Sequence, residues 1–418
     1  MNHPTSNNES RNTYVLIFGF SDVVAGGPIY HLNKIKYLKE RGWDTIVISM
    51  GIAKNVHLSE LKEFEGSGLE FFWLHPGEFC FRQFRRNIEL LKSYIPRNHG
   101  KIIIETGTSS AAYWGEALAE ELRAKHIFIF VDEHFKSVNQ TTIDFYKFKF
   151  NRRELACIDK DAMYRLFKPF FNIQLDDCIG LDCMCSNVID DIEHPLNDLK
   201  RCDFNIGTIG RLEKGFVQVI INGVLEFAKS NPNKTISFVM FGGAPSQATI
   251  NNIQFQFAGY RNINLTISGY LYPIPIKALK KCDIFLSGSG SALVSSSLGV
   301  TTVRMDHVSF QPMGYVVNAE TFKTQKASSG NKVIDYLNQS LIERKSPAML
   351  YVPYNTKKMW ETICEAFDKH MQFIEDSSQK IDYFNFSKFK LSGKQQIKKS
   401  LRCLLGLKLY GQLRNEKY

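Results

Sequence analysis

Apolar residues in this chain come in runs of strand length, separated by stretches where they recur at helical spacing. Residues 14–20 read as a first strand, followed by a glycine-bearing loop over 21–28. Residues 29–41 read as a helix, because Ile29, Leu32, Ile35 and Leu38 share one face, and Gly42 ends it. A strand over 44–50 completes a βαβ unit. The alternation continues with strand 69–74, helix 85–94, strand 101–106, helix 108–124, strand 126–131 and helix 145–164. Thr108, Ser109 and Ser110 are candidate caps for the fourth of these.

After an irregular stretch over 173–203, a second series starts at Phe204. It has strands over 205–209, 235–241, 263–268, 283–287 and 301–305, and helices over 216–230, 274–281 and 292–298. Strands dense in Ile and Phe, separated by helices, predict parallel sheets covered on both faces. The fold class is therefore α/β, as two doubly wound Rossmann-like lobes facing a cleft. Ligands in such sheets bind beyond the carboxyl ends of the strands. The expected organisation is a flexible N-terminus over 1–12, a first Rossmann-like lobe over 13–203, a second over 204–375 and a basic amphipathic tail over 376–418.

A length of 418 residues suits two domains, and 44% hydrophobic with 22% charged residues is ordinary globular usage. Nine scattered cysteines form no disulfide framework, which fits a reducing compartment. Cys178, Cys183, Cys185 and Cys202 lack paired CxxC knuckles, so free thiols are expected rather than zinc. The N-terminus lacks the basic-then-apolar order of a signal peptide, and no apolar run reaches the ~20 residues of a membrane span. A cytosolic location is expected.

The net charge of +10 favours phosphate-bearing partners. Much of the excess lies near the C-terminus, where Lys388, Lys390, Lys394, Lys398, Lys399, Arg402, Lys408 and Arg414 alternate with apolar residues. Ile397, Leu401, Leu404 and Leu405 fall on one helical face. Two readings stand: a helix lying on an anionic membrane, or one docked on the protein's own body with a solvated basic face. No nucleic-acid recognition module is present, and no nucleic-acid partner is expected.

Three loops of the second series each follow a strand. They are Gly210-Arg211-Leu212-Glu213-Lys214-Gly215, Gly242-Gly243, and Ser287-Gly288-Ser289-Gly290-Ser291. Glycines let backbone N–H groups approach an anion, and the following helix start adds favourable partial charge. Arg211 and Lys214 would add full charges against a diphosphate.

The segment 205–215 resembles the GRL…KG segment of GT-B glycosyltransferases, especially the large retaining family that uses UDP- or GDP-sugars. Ile267-Ser-Gly-Tyr270, the strand over 281–287 and Leu298-Gly-Val-Thr-Thr-Val303 are similar to later motifs of that family, and Gly26-Gly27 with Gly42 to its opening. The resemblance runs from about residue 14 to 305. It implies an acceptor lobe over 13–203 and a nucleotide-sugar lobe over 204–375, with Arg211 and Lys214 on the donor diphosphate; Gly26, Gly27, Gly242, Gly243, Ser289, Gly290, Ser291 and Ser296 are the candidate donor-site residues. Two departures stand out. The Arg-to-Lys spacing is short, and the E-x7-E glutamates are absent between Ser287 and Gly299. That loop resembles the peptidoglycan N-acetylglucosaminyltransferase type, with Ser296 at the position of its glutamate.

In the first series, Asp132-Glu133-His134 ends a strand on the cleft-facing edge. His134 is the first candidate and Asp132 the second for the group that serves the acceptor hydroxyl or the transition state. The alternative is a strand-end cluster facing water. Glu105 and Thr106 end the neighbouring strand and would meet the acceptor. His31 reads as a helix residue facing core or solvent, and His75 as a turn residue.

The expected function is transfer of a sugar from a nucleotide donor to a glycan or lipid-linked acceptor in cell-surface polysaccharide synthesis, without cofactor or metal. A sugar-nucleotide 2-epimerase and a non-catalytic binding protein of the same fold are the alternatives.

Overall fold

In the computed structural model the described residues are 11–19, 24–49, 58, 60–61, 74–131, 139–182, 184–185, 188–327, 330, 332–351, 355–386, 391 and 393–414. The strand expected over 69–74 lies almost wholly outside them.

The first lobe holds β1 (Thr13–Phe18), β2 (Asp44–Ser49), β3 (Ile102–Thr106), β4 (Lys125–Phe130) and β5 (Leu155–Cys157), in the order β2-β1-β3-β4-β5. All four pairings are parallel. β1 and β3 are buried along their whole length, as continuous apolar runs require when helices cover both faces. α1 (Gly26–Glu40) follows β1, and α3 (Ser109–Leu122) follows β3. α3 packs so closely that a Cβ at Gly115 would lie 2.6 Å from Thr106 and 2.9 Å from His126.

The expected helix over 145–164 is instead three elements. α4 (Gln140–Asn151) is capped by Asn139, whose side chain accepts from Thr142 N. The chain turns at Arg153, which has a φ of 53°, and enters β5. α5 (Lys160–Phe167) then starts at Asp159, whose side chain accepts from Ala162 N. Leu155–Cys157 is too short to display a period, so its burial as the fifth strand is a tertiary outcome.

A short parallel pair, β6 (Ile189–Asp190) with β10 (Ile274–Pro275), ties the inter-lobe segment to the second lobe. The second sheet contains β7 (Phe204–Ile209), β8 (Ile236–Phe241), β9 (Ile263–Ile267), β11 (Ile284–Gly288), β12 (Thr301–Met305), β13 (Pro312–Asn318) and β14 (Lys323–Gln325). Its order is β14-β13-β12-β11-β7-β8-β9. The strands β12-β11-β7-β8-β9 are parallel, and β13 and β14 add an antiparallel edge. α6 (Gly215–Ser230) buries Phe216, Val217, Ile220, Ile221, Val224 and Phe227 at helical spacing against this sheet. α7 (Gln247–Phe257) was illegible in the apolar pattern because it buries only Ile253 and Phe257.

The lobe boundaries differ from the expected ones. α11 (Thr356–Asp376) crosses back and inserts Ile363, Phe367, Phe373 and Ile374 into the first lobe's core. Tyr37 of α1 and Arg41 just past its end hold Asp368 at 2.6 and 3.2 Å, and Trp360 donates to Glu40 at 3.0 Å. The donor lobe therefore stops short of residue 375. Residues 383–386 also pack on the first lobe, through Tyr383, Phe384 and Phe386. At the other end, Asn12 is part of the fold, since its carbonyl accepts from Asp44 N and its side chain from Lys101 N.

One buried charge cluster anchors the first lobe. Glu116 accepts from His126 Nδ1 at 2.7 Å and from Lys149 Nζ at 2.8 Å, and Lys149 also reaches Glu154 at 2.6 Å. Burial alone would raise the Glu116 pKa, but the Lys149 charge and the His126 hydrogen bond bring it down to about 2. Burial, and then the Lys149 charge, lower the His126 pKa below its ordinary range. Breaking such a pair strands a buried charge, so Lys149→Met is expected to cost about 3–5 kcal/mol in urea unfolding. The Glu116 carboxylate contributes stability above its unfolded pKa of about 4.3, and that contribution is lost as pH falls toward 2. The wild-type unfolding free energy should fall across that window, and Glu116→Gln should flatten the fall.

Candidate functional site

Strand order reverses between β7 and β11: β8 and β9 lie to one side, β12 and β13 to the other. Such a switch point opens a crevice at the carboxyl ends of the strands. The loops after β7 and β11 flank that crevice.

The three loops touch one another. A Cβ on Gly242 would sit 1.8 Å from the Gly210 carbonyl oxygen, so the turn after β8 lies backbone to backbone on the loop after β7. Leu212 N donates to Gly243 O at 2.9 Å, and Gly210 N to Phe241 O at 3.1 Å. Gly210 has a φ of 134°, outside the range most side chains tolerate, and a Cβ there would meet Ser291 Oγ at 3.6 Å. Ser287 Oγ accepts from Ile209 N at 3.0 Å, pinning β11 to β7 at the crevice. Ser268 Oγ, at the end of β9, accepts from Gly242 N at 3.0 Å, and the Tyr270 ring lies against Gly243.

α9 (Ser289–Ser297) starts directly from β11 with Gly288 as its N-cap, and among the described residues no side chain caps it. Its first-turn N–H groups have no partner within the helix and carry the positive end of its dipole. α6 starts in the same way at Lys214. Arg211 is half-exposed, with its guanidinium 3.4 Å from Glu213. The rim therefore presents backbone N–H groups, two helix N-termini and two cations. That arrangement can hold a diphosphate.

The first lobe faces this rim. α1 begins at Gly26 and Gly27, and among the described residues its first turn too has no side-chain cap. A side chain at Gly26 would meet Cys185 at 3.2 Å, whereas Gly27 borders open space. Cys185, an exposed residue of the inter-lobe segment, therefore lies against the start of α1. Tyr270 and Tyr272 of the second lobe pack against the first lobe's core.

Several expected site residues lie elsewhere. Glu105 is buried, accepting from Tyr14 and from Tyr30 (2.5 Å), with Lys34 Nζ 3.6 Å away. Burial pushes its pKa up, but the Lys34 charge and the tyrosines bring it below the usual range. It is enclosed by these donors from β1 and α1. Thr106 is equally buried, with its hydroxyl 2.8 Å from His126 Nε2. Both point into the lobe because residues of a central strand covered on both faces have no open side. Ser296 is buried, and its hydroxyl donates to Leu293 O at 3.1 Å, within its own helix. Asp132 and His134 lie outside the described residues. Of Ser289, only its backbone place at the start of α9 is described. His31 stacks on Phe18 with ring centroids 3.7 Å apart, and burial lowers its pKa to about 4. His75 is also buried, and its Nδ1 accepts from Gly77 N.

Tyr270, Ser268 and Ser287 belong to the rim as well. Their signal was positional, since each sits at or just past the end of a strand. Cys185 gave none, lying in a segment without period.

No family model matches the sequence, and no curated protein does. The architecture does have solved counterparts. A glycosyltransferase from Rickettsia africae aligns with a TM-score of 0.53 at 15% identity, covering 97% of this chain and 100% of that one. Anabaena HepE in complex with UDP and glucose aligns at 0.51 and 12% identity, covering 87% and 99%. The fold is GT-B. A putative UDP-N-acetylglucosamine 2-epimerase from Listeria monocytogenes, at 0.48 and 13% identity with 90% and 100% covered, is too distant to carry an argument. Within GT-B, the described rim is the crevice edge of the second lobe.

Since nothing larger than hydrogen fits at Gly242, Gly242→Ala is expected to push the β7–α6 loop off β8. The cost should be about 1–3 kcal/mol in chemical denaturation. Gly27→Ala, which borders open space, should leave stability within about 0.5 kcal/mol in the same measurement.

Proposed function

We propose that the chain is a glycosyltransferase that moves a sugar from a nucleotide donor to a glycan or lipid-linked acceptor. The observation that carries this reading is the meeting of the β7–α6, β8–α7 and β11–α9 loops at the switch point. The chemistry asked of the rim is to hold two negative phosphates in the ground state and a more negative departing nucleoside diphosphate in the transition state. Arg211 and the α9 N–H groups are arranged for the growing charge, and the glycine backbone permits contact without intervening side chains. Lys214 and α6 add to the same field. Ser291 and Gly290 supply α9's first turn. Gly27 opens the first lobe's side of the gap.

His134 and Asp132 follow β4, whose carboxyl edge faces the same side as the start of α1. They remain the candidates for the acceptor's proton, His134 first. Glu105 and Thr106 drop out of this role. A cytosolic protein working on surface polysaccharide at the membrane's inner face is the setting that fits a lipid-linked acceptor.

Incubation with labelled UDP- and GDP-sugars should release free nucleoside diphosphate. Arg211→Ala should lower kcat/KM by about 10²–10³-fold, and undiminished turnover would refute the assigned role. Turnover is expected to persist in chelator. A labelled product still attached to its nucleotide would point to the epimerase instead. Saturating UDP at about a hundred times its Kd should add about 2.7 kcal/mol of stability, read by denaturant unfolding.

A further inference from the structure

The C-terminal helix is docked inside out. α12 (Gly393–Arg414) is broken at Gly406, which has a φ of 77°. Apart from the buried Tyr410, the face it turns to the first lobe is polar. Arg402 is buried and donates to Glu78 Oε2 at 2.6 Å, Lys399 Nζ reaches Gly77 O at 2.9 Å, and Gln83 donates to Arg402 O at 3.1 Å. The apolar stripe faces out: Ile397 is 64% exposed, Leu404 82% and Leu409 48%, with Leu401 and Leu405 at 37% each. An amphipathic helix docked for its own stability would bury the leucines and solvate the cations.

The surroundings extend the patch. Gln83 lies in the first turns of α2 (Phe81–Ser93), and Phe81 at the start of that helix is 80% exposed beside the exposed Arg82. Over residues 393–414 the sequence holds six Lys or Arg and no Asp or Glu.

We infer that the outward face of α12, with Phe81 of α2, docks on an anionic phospholipid surface. Apolar side chains enter the acyl boundary while cations beside them meet lipid phosphates. The charge selects this occupant over a second copy of the chain. A two-fold contact through this face would set Lys394 and its neighbours against their own equivalents. The contact is peripheral, because among the described residues no helix is long and apolar enough to cross a membrane. α12 sits on the acceptor-side lobe, so the docking would bring a lipid-linked acceptor to the correct half of the cleft. That use rests on the transferase reading; the docking itself does not.

The test is sedimentation of the full chain with sucrose-loaded vesicles of phosphatidylcholine, alone or mixed with phosphatidylglycerol. Binding is expected only to the mixed vesicles and should weaken as salt rises. Ile397→Asp with Leu404→Asp should weaken it at least about tenfold, with the thermal midpoint unchanged because both side chains are exposed. Lys394→Glu with Arg82→Glu should do the same by charge alone. Arg211→Ala should bind vesicles as the wild type does even where it loses turnover, which separates this proposal from the transferase reading. No binding to mixed vesicles, or binding that both pairs leave unchanged, would overturn it. So would a dimer in sedimentation equilibrium that Ile397→Asp with Leu404→Asp dissociates.

Discussion

The backbone contact between Gly242 and the Gly210 carbonyl sets the geometry of the whole rim. No side chain separates the two turns, so the loop after β7 is held by the sheet next to it in addition to its own Lys214 N to Arg211 O and Arg211–Glu213 contacts. Leu212 N to Gly243 O and Ser287 Oγ to Ile209 N close the same frame from either side. Rigidity at this place is what an anion site needs. N–H groups and helix termini stabilise charge best when they need not reorganise around it.

The first lobe achieves order by a different device. It buries two charge clusters, Glu105 with Lys34 and Glu116 with Lys149, one on each side of β3. The first lies where α1 and α11 pack, and the second where α3 and α4 meet β4. Neither reads as catalytic once placed, because each carboxylate is enclosed by its own donors. Their value lies in fixing which elements meet, since a mispacked alternative would strand a buried charge. Through α11, residues near the C-terminus become part of the first lobe's core, so the two lobes are joined twice by the chain.

α12 follows a third logic. It is attached by an ion pair and main-chain hydrogen bonds, and Leu401, Leu404, Leu405 and Leu409 are left exposed. The usual hydrophobic bookkeeping thus does not explain its docking. The proposed membrane docking would cover that outward apolar face.

The sequence by itself determined the two α/β lobes, the order of most elements and the three glycine loops after β7, β8 and β11, because apolar period and glycine placement are local properties. Glu105 and Thr106 were misplaced by the same local logic: a polar residue at a strand's end looks open until the neighbouring strands and helices are counted. Only the tertiary structure decided that β5 is a strand, that α11 belongs to the first lobe, and that Ser296 turns its hydroxyl into its own helix. It alone decided which face of α12 points outward, since the stripe of Ile397, Leu401 and Leu404 is the same whether it packs on protein or not. The placements of β5, α11 and α12 are choices of partner, set by burial and pairing with segments tens to hundreds of residues away, and no local pattern encodes them.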